Sequence, residues 1–192
     1  AFSVTINKFE DSIYIVSFAD ISETMLENML LEEKTLRDKL TNAYNREFFE
    51  NNYQKLIETF KSEDMYFGLA MIDIDNFKNI NDSYGHNIGD EILINLVSII
   101  NKFSRNDDIL IRWGGEEFII ILKVSSEDRL NIILENIRKT IEKSKIDKLP
   151  TITCSFGGTI YENNEQINDT IKRADEALYI AKANGKNKVI LK

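Results

Sequence analysis

Cysteine is almost absent: Cys154 stands alone among 192 residues. A single thiol excludes an intrachain disulfide and any metal site built from several cysteines. It falls in an apolar, strand-like stretch and is expected to be buried. Long hydrophobic runs are also missing. No stretch approaches the roughly 20 apolar residues of a membrane helix, and the opening residues carry no signal-peptide pattern. Positive charge is in deficit, with 24 Lys and Arg against 32 Asp and Glu and a net charge of −8. That balance argues against a general electrostatic grip on DNA or RNA. It does not exclude one anionic nucleotide held by metal ions and a few local cations. No internal repeat, low-complexity segment or Rossmann glycine pattern is present. The sequence opens on Ala1 instead of Met and reads as a segment of a longer protein. The expected location is cytoplasmic.

What is present is enough apolar material, 43% of residues, for one domain and an appendage. Residues 2–7 and 13–19 read as strands about a turn at 8–12. Two strands do not make a stable sheet alone, so they are expected to complete something else. A helix follows from Ser22, a capping residue, to about Leu40, with Glu23 in its first turn. Met25, Met29, Leu36 and Leu40 give it an apolar stripe, interrupted by Glu32 and Glu33. A short coiled coil and packing on the chain's own core both remain open.

Periodicity predicts a helix over 46–61, with Phe48, Phe49, Tyr53, Leu56, Ile57 and Phe60 on its inner face. A strand over 66–74 then ends in Asp73-Ile74-Asp75, which places hard oxygen ligands at a sheet edge. A helical turn over 76–82 offers free N–H groups to a phosphate, with Lys78 nearby. A glycine-rich loop over 83–90 and an apolar helix over 91–103 come next. Within that loop, Asp90 is explicable as a helix cap, and the lone His86 as a structural residue. The apolar segment 109–122 reads as a hairpin turning at Gly114-Gly115, followed at once by Glu116 and Glu117. Neighbours in a strand point to opposite faces, so the two acids have different jobs. Asp73 and Glu116 can share a Mg²⁺ or a metal pair that binds phosphate and activates a hydroxyl. The rest is a helix over 127–144, a strand over 152–160 broken or bent at Gly157-Gly158, a helix over 167–183 ended by Gly185, and a strand over 188–191. This alternation with a hairpin predicts an α+β fold with a mixed, largely antiparallel sheet.

Several ordered motifs are recognisable together. Asp73-Ile74-Asp75-Asn76-Phe77-Lys78 with Asn81-Asp82, His86-x-x-Gly89-Asp90, and Gly114-Gly115-Glu116-Glu117-Phe118 resemble the GGDEF domain of diguanylate cyclases. Asp38-x-Leu40-Thr41 with Asn45-Arg46 resembles its opening signature. Asp175-x-Ala177-Leu178-Tyr179-x-Ala181-Lys182-x-x-Gly185-x-Asn187 resembles its closing one. The resemblance implies domain limits of 39–192 and a ferredoxin-like palm similar to nucleotidyl cyclases and polymerases. Residues 14–23 resemble the last strand and exit of a PAS sensor domain. That implies a truncated sensor over 1–20 and a signalling helix over 21–38.

The family makes cyclic di-GMP from two GTP, each 3′-hydroxyl attacking the α-phosphorus of the other, in a dimer of half-sites. The resemblance implies that Asp73, the Ile74 carbonyl, Glu116 and Glu117 form the Mg²⁺ or Mn²⁺ site. Glu116, Glu117 and Lys78 are then the catalytic residues, and Phe77, Lys78, Asn81, His86, Asp90, Gly115, Lys182 and Lys186 bind substrate. Asp90 suits guanine, because a carboxylate accepts from N1–H and N2–H₂ and would be repelled by the adenine N1. Arg105 and Asp108 match the R-x-x-D inhibitory site for cyclic di-GMP, with a plain charged loop as the other reading. The implied partners are GTP, cyclic di-GMP and a second copy joined through the N-terminal helix. Asn42 stands where Gly is usual, Trp113 where Tyr or Phe is usual, and Lys186 and Lys188 replace arginines. The alternatives are a non-catalytic receptor for cyclic di-GMP or GTP, and a dimerisation module with an idle site.

Overall fold

The computed structural model describes residues 2–10, 13–23, 25, 35–105, 107–145 and 149–192. The chain divides into two compact units, Ala1–Arg37 and Asp38–Lys192. In the first, β1 (Phe2–Glu10) and β2 (Ile13–Asp20) form an antiparallel hairpin with Val4 opposite Phe18 and Ile6 opposite Val16. Both strands run longer than expected, because a bulge between Lys8 and Glu10 absorbs residues assigned to the turn. Phe2, Val4, Ile6 and Val16 share one face, and all four are exposed. Asp20, not Ser22, accepts at the helix start: the Ser22 amide donates to its Oδ1 at 2.9 Å. Hydrogen bonds from Ser22 hold the Asp20 carboxyl below the usual range. Most of the expected helix, Met29, Glu32 and Glu33 included, lies outside the described residues. Thr35 is helical but Leu36 is already in a turn, so the helix stops short of Leu40.

The second unit opens with a turn closed by its own side chains. Asp38 Oδ1 accepts from the Thr41 amide at 2.9 Å and its hydroxyl at 2.7 Å. Asn42 then sits at φ +60°. Gly is the least strained residue there and Asn the next, which accounts for Asn in the family's Gly position.

Six strands follow: β3 (Tyr44–Asn45), β4 (Tyr66–Ile74), β5 (Ile109–Gly114), β6 (Glu117–Val124), β7 (Cys154–Ile160) and β8 (Val189–Leu191). Their order in the sheet is β3-β5-β6-β4-β7-β8. The inner pairs β5–β6, β6–β4 and β4–β7 are antiparallel and the outer pairs parallel, as the expectation of a mixed sheet required. The two-residue period sorts the core. Ala70, Ile72 and Ile74 of β4 pack with α3 (His86–Asn101) and α4 (Glu127–Lys143) on one face. Leu69 and Met71 pack with α1 (Arg46–Ser62) and α5 (Ile167–Ala183) on the other. Asn45 and Ser126 cap α1 and α4 by accepting from Phe48 and Arg129 amides. No helix among the described residues is long and apolar enough to cross a membrane.

Two local expectations are corrected. The loop over 83–90 is absent: α2 (Phe77–Tyr84) and α3 are separated by Gly85 alone, whose φ of +86° turns the chain in one residue. Asp90 therefore lies inside α3 and caps nothing. Strand β7 is also unbroken at Gly157-Gly158, both of which pair with β4. The glycines serve the approach of α5 instead. A Cβ on Gly157 would lie 2.1 Å from the Leu178 amide nitrogen and 2.2 Å from the Ala174 carbonyl oxygen. Cys154 is buried as expected, and desolvation pushes its thiol well up.

Glu165 ties the start of α5 to the end of β7. It accepts from both Arg173 Nη atoms, from the Thr170 hydroxyl at 2.7 Å and from the Glu162 amide at 2.7 Å. The Arg173 hydrogen bond leads in lowering its carboxyl from 4.5 to about 2. A depressed carboxyl adds stability that is complete above its unfolded value and is lost as pH falls toward the folded one. Glu165→Gln is expected to cost about 2–3 kcal/mol at pH 7. Urea unfolding is expected to find that difference more than halved at pH 3. Gly157→Ala meets backbone and is expected to cost about 3 kcal/mol. Gly158→Ala meets only side chains, Leu191 Cδ2 and Leu134 Cδ1, and the same unfolding measurement is expected to find it milder.

Candidate active site

Parity along β4 decides which acids meet. Asp73 follows Leu69 and Met71 onto the face covered by α5. Its partner across the β4–β6 ladder is Glu117, which shares a face with Ile119 and Ile121. The closing pair of the β5–β6 hairpin is Gly114 with Glu117. The turn is thus Gly115-Glu116, one residue later than expected, because Trp113 sits in a bulge between Arg112 and Gly114. Gly115 takes φ +55°, while Gly114 ends β5. Glu116 consequently belongs to the turn and Glu117 to the strand.

A cleft of about 200 Å³ opens at this edge, lined by residues 73–78 together with Glu116, Lys182 and Lys186. Larger hollows lie elsewhere, one of about 520 Å³ beside Ile57, Tyr66 and Tyr161, but they lack this concentration of acids facing cations. The Asp73 side chain is only 9% exposed, and Lys182 Nζ from α5 lies 2.7 Å from its Oδ2. Burial raises the Asp73 carboxyl; Lys182 works against that, and the charges on Glu116 and Asp75 add to it. Burial also raises Glu117, with Asp73 as the next cause.

Asp75 has a different part. It accepts from the Thr153 and Ser155 hydroxyls at 2.7 Å and from the Asn187 amide at 3.0 Å. Its oxygens are engaged by protein donors, so it builds the cleft wall. Asn76, at φ +59°, leaves the first turn of α2 without a side-chain cap and accepts from Lys186 Nζ at 2.6 Å. Phe77 is buried in the core, which leaves its backbone for any ligand.

Asn81 and Asp90, whose positions match the family's guanine-reading ones, and His86, expected to bind substrate, stand on α2 and α3. Asn81 on α2 packs against Gly89 on α3, where a Cβ would come within 2.0 Å of its Oδ1. That oxygen is buried without a hydrogen-bond partner. His86 and Asp90 on α3 are exposed. None of the three lines the small cleft.

Arg105 and Asp108 close a turn on each other. The Arg105 amide donates to Asp108 Oδ2 at 2.8 Å, and the Asp108 amide to the Arg105 carbonyl at 3.1 Å. Asp108 Oδ1 also accepts from the Lys123 amide at 3.4 Å. Burial raises the Asp108 carboxyl against these bonds. Asn106 lies outside the described residues.

Sequence reasoning missed the support beneath the turn. Arg112 donates to the Gly115 carbonyl through Nε at 3.0 Å and Nη2 at 2.9 Å, and its Nη1 donates to Asp38 at 2.9 Å. Burial opposes the Asp38 carboxylate, but hydrogen bonds from Thr41 and Arg112 outweigh it and hold the carboxyl low. Trp113 takes the Phe49 ring edge-on at 5.6 Å and the Arg46 guanidinium over its face at 4.5 Å. The Arg before the glycines and the Asp of the opening signature were the available signals.

The donor set suits a small divalent cation. The Asp73 and Glu116 carboxylates and the Ile74 carbonyl are all hard oxygens. Among the described residues no three His, Cys, Asp or Glu side chains gather closely enough to hold a metal alone. Magnesium, however, needs only one or two carboxylates when phosphate and water oxygens complete its shell.

The family model of the diguanylate cyclase GGDEF domain matches residues 35–188. Diguanylate cyclase DgcM of Escherichia coli (strain K12) is 35% identical over 182 residues, covering 95% of this chain and 44% of that protein. Diguanylate cyclase A of Treponema denticola is 36% identical over 184 residues, with 92% and 50% covered. The chain thus spans about half the length of these relatives. The crystal structure of the coiled coil and GGDEF domain of DgcB from Caulobacter crescentus, in complex with c-di-GMP, matches with a TM-score of 0.82 and 26% identity. It covers 90% of this chain and 93% of that one. With the family model matching most of the chain, relatives at 35–36% identity and a palm sheet shared with solved GGDEF domains, the chain belongs to the GGDEF-domain family of diguanylate cyclases.

Proposed function

We propose that the Asp38–Lys192 unit is the catalytic domain of a diguanylate cyclase, condensing two GTP into cyclic di-GMP with release of pyrophosphate. The observation that carries this reading is one cleft holding the buried Asp73, Glu116, Lys78, Lys182 and Lys186. Acids and cations on one small cleft are what a metal-bound triphosphate requires. GGDEF cyclases use divalent metal ions; Mg²⁺ or Mn²⁺ is the ion proposed here, held by Asp73, the Ile74 carbonyl and Glu116 with Glu117 beside them. When bound, such an ion neutralises charge on phosphate oxygens and lowers the pKa of the attacking 3′-hydroxyl.

The chain's own residues do the rest. Glu116, carried on a turn, accepts the hydroxyl proton. Glu117, across the ladder from Asp73, keeps the local field negative and so favours the bound cation. Lys78 and the uncapped amides of α2 meet charge on the transferring phosphoryl group. Lys182 and Lys186 hold the terminal phosphates, Lys182 exchanging part of its hold on Asp73 for phosphate oxygens. Phe77 and Gly115 contribute backbone. Asn81 and Asp90 read guanine, with His86 beside them. That Asp90 caps no helix and stands exposed supports this role. One cleft takes one GTP, so the Asp38–Lys192 units of two copies of the chain meet face to face, joined through the N-terminal signalling helix. The β1–β2 hairpin, with its exposed apolar face, is the end of a PAS-like sensor. Cyclic di-GMP feeds back at Arg105 and Asp108. The cyclic di-GMP bound in the DgcB structure supports the product class.

Glu116→Ala is expected to lower cyclic di-GMP formation from GTP by at least about 100-fold. Its thermal midpoint should match that of the parent, because a turn residue supports no core contact. EDTA is expected to abolish turnover, and Mg²⁺ or Mn²⁺ to restore it, with mass spectrometry detecting product. Normal turnover by Glu116→Ala would remove that residue from the mechanism. Arg105→Ala is expected to raise the inhibition constant for added cyclic di-GMP at least about tenfold. Arg105 is the cleaner probe, because Asp108 also holds two backbone amides. Unchanged inhibition would place the regulatory site elsewhere.

A further inference from the structure

Three residues in a row after α5 have positive φ: Gly185 at +102°, Lys186 at +62° and Asn187 at +45°. Two are not glycine, and each such residue carries a backbone cost. A path of this kind persists only when its surroundings impose it. Here the imposing contacts converge on Asn187. Its amide donates to Asp75 Oδ2 at 3.0 Å. Its side-chain Oδ1 accepts from Arg138 Nη1 at 2.8 Å, and its Nδ2 donates to Glu142 Oε1 at 2.8 Å. Arg138 Nη1 also donates to Glu142 Oε2 at 3.1 Å, closing a triangle. Both members of that pair stand on α4, and Arg138 is only 12% exposed. Hydrogen bonds from Asn187 and Arg138 hold the Glu142 carboxyl below its usual range.

The residue displayed by this strained path is Lys186, whose ammonium reaches Asn76 at the start of α2. Lys186 otherwise holds the turn only by its amide, which donates to the Ala181 carbonyl at 3.0 Å. We infer that Asn187, gripped by Asp75 on one side and by the Arg138–Glu142 pair of α4 on the other, is a positioning residue that aims Lys186 at the terminal phosphates of the substrate. Helix α4 contributes no residue to the cleft lining, yet it sets the aim of one of the cleft's cations. The inference rests on the phosphate-binding reading of the cleft.

The test is calorimetric binding of Mg²⁺–GTP and of GMP to the 192-residue chain, with thermal midpoints recorded alongside. Asn187→Gly removes both side-chain bonds and keeps a residue at ease with positive φ. It is expected to weaken Mg²⁺–GTP binding about tenfold, the scale of one charge-assisted phosphate contact. GMP affinity should be unchanged, since GMP has no terminal phosphates. In a Lys186→Met background, Asn187→Gly is expected to cause no further loss, because nothing is left to aim. Glu142→Ala is expected to weaken GTP binding as well, while Glu142→Gln, which keeps an acceptor for Nδ2, restores it. Equal losses for GTP and GMP, or additive losses with Lys186→Met, would make Asn187 merely structural and overturn the inference. Full GTP affinity in Asn187→Gly would overturn it as well. If the parent chain and Lys186→Met bind GTP alike, the assignment of Lys186 itself fails, a result distinct from failure of the clamp.

Discussion

Strand β4 is hydrogen-bonded on both sides, to β6 and to β7, and is buried from Phe67 to Ile74. A strand in that position tolerates no slip, since moving it by one residue would exchange its two apolar faces and carry Asp73 to the wrong one. Its last residues are therefore placed as rigidly as its core. Asp73 goes to the α5 face, opposite Glu117. Ser155 of the paired β7 and Thr153 just before it then fix Asp75 through their hydroxyls. An acidic edge that would be costly in isolation is held by packing some distance away.

The electrostatic consequence is a site out of balance in a useful direction. Asp73 and Glu117 are partly desolvated and repel one another, and both carboxyls are raised. Lys182 offsets the excess at Asp73. On the proposed function, a divalent cation with a triphosphate completes that neutralisation, the cation set against the acids and the phosphates against the lysines. The net charge of −8 fits this arrangement. Recognition of one small anion needs a few placed cations and does not need a positive surface.

Around the acidic edge, short polar relays set the loops. Asp38 and Arg112 hold the Gly115 carbonyl, and so the turn that carries Glu116. Asp75, Arg138 and Glu142 hold Asn187, and so the turn that carries Lys186. Each relay joins residues far apart in the chain; Asp75 and Asn187 are separated by 112 positions. In both cases the group that touches the cleft is mobile in kind, a lysine or a turn glutamate, and its support is a fork of hydrogen bonds from more rigid elements.

The sequence by itself determined the local elements and the family. Helices α1, α4 and α5, strand β4, the buried thiol and the ordered motifs were legible because apolar period, capping residues and motif spacing are properties of neighbouring residues. It misread Gly85 as part of a loop and Gly157 as a bend, since a glycine signals freedom without saying which neighbour needs it. The tertiary structure alone decided that Glu117, not Glu116, faces Asp73 across the ladder, that Asp75 is spent on β7 and Asn187, and that α4 grips the Lys186 turn. The reason is physical: register and side-chain hydrogen bonds between distant segments depend on which strands pair and which faces the core selects, and those choices exist only once the sheet has formed.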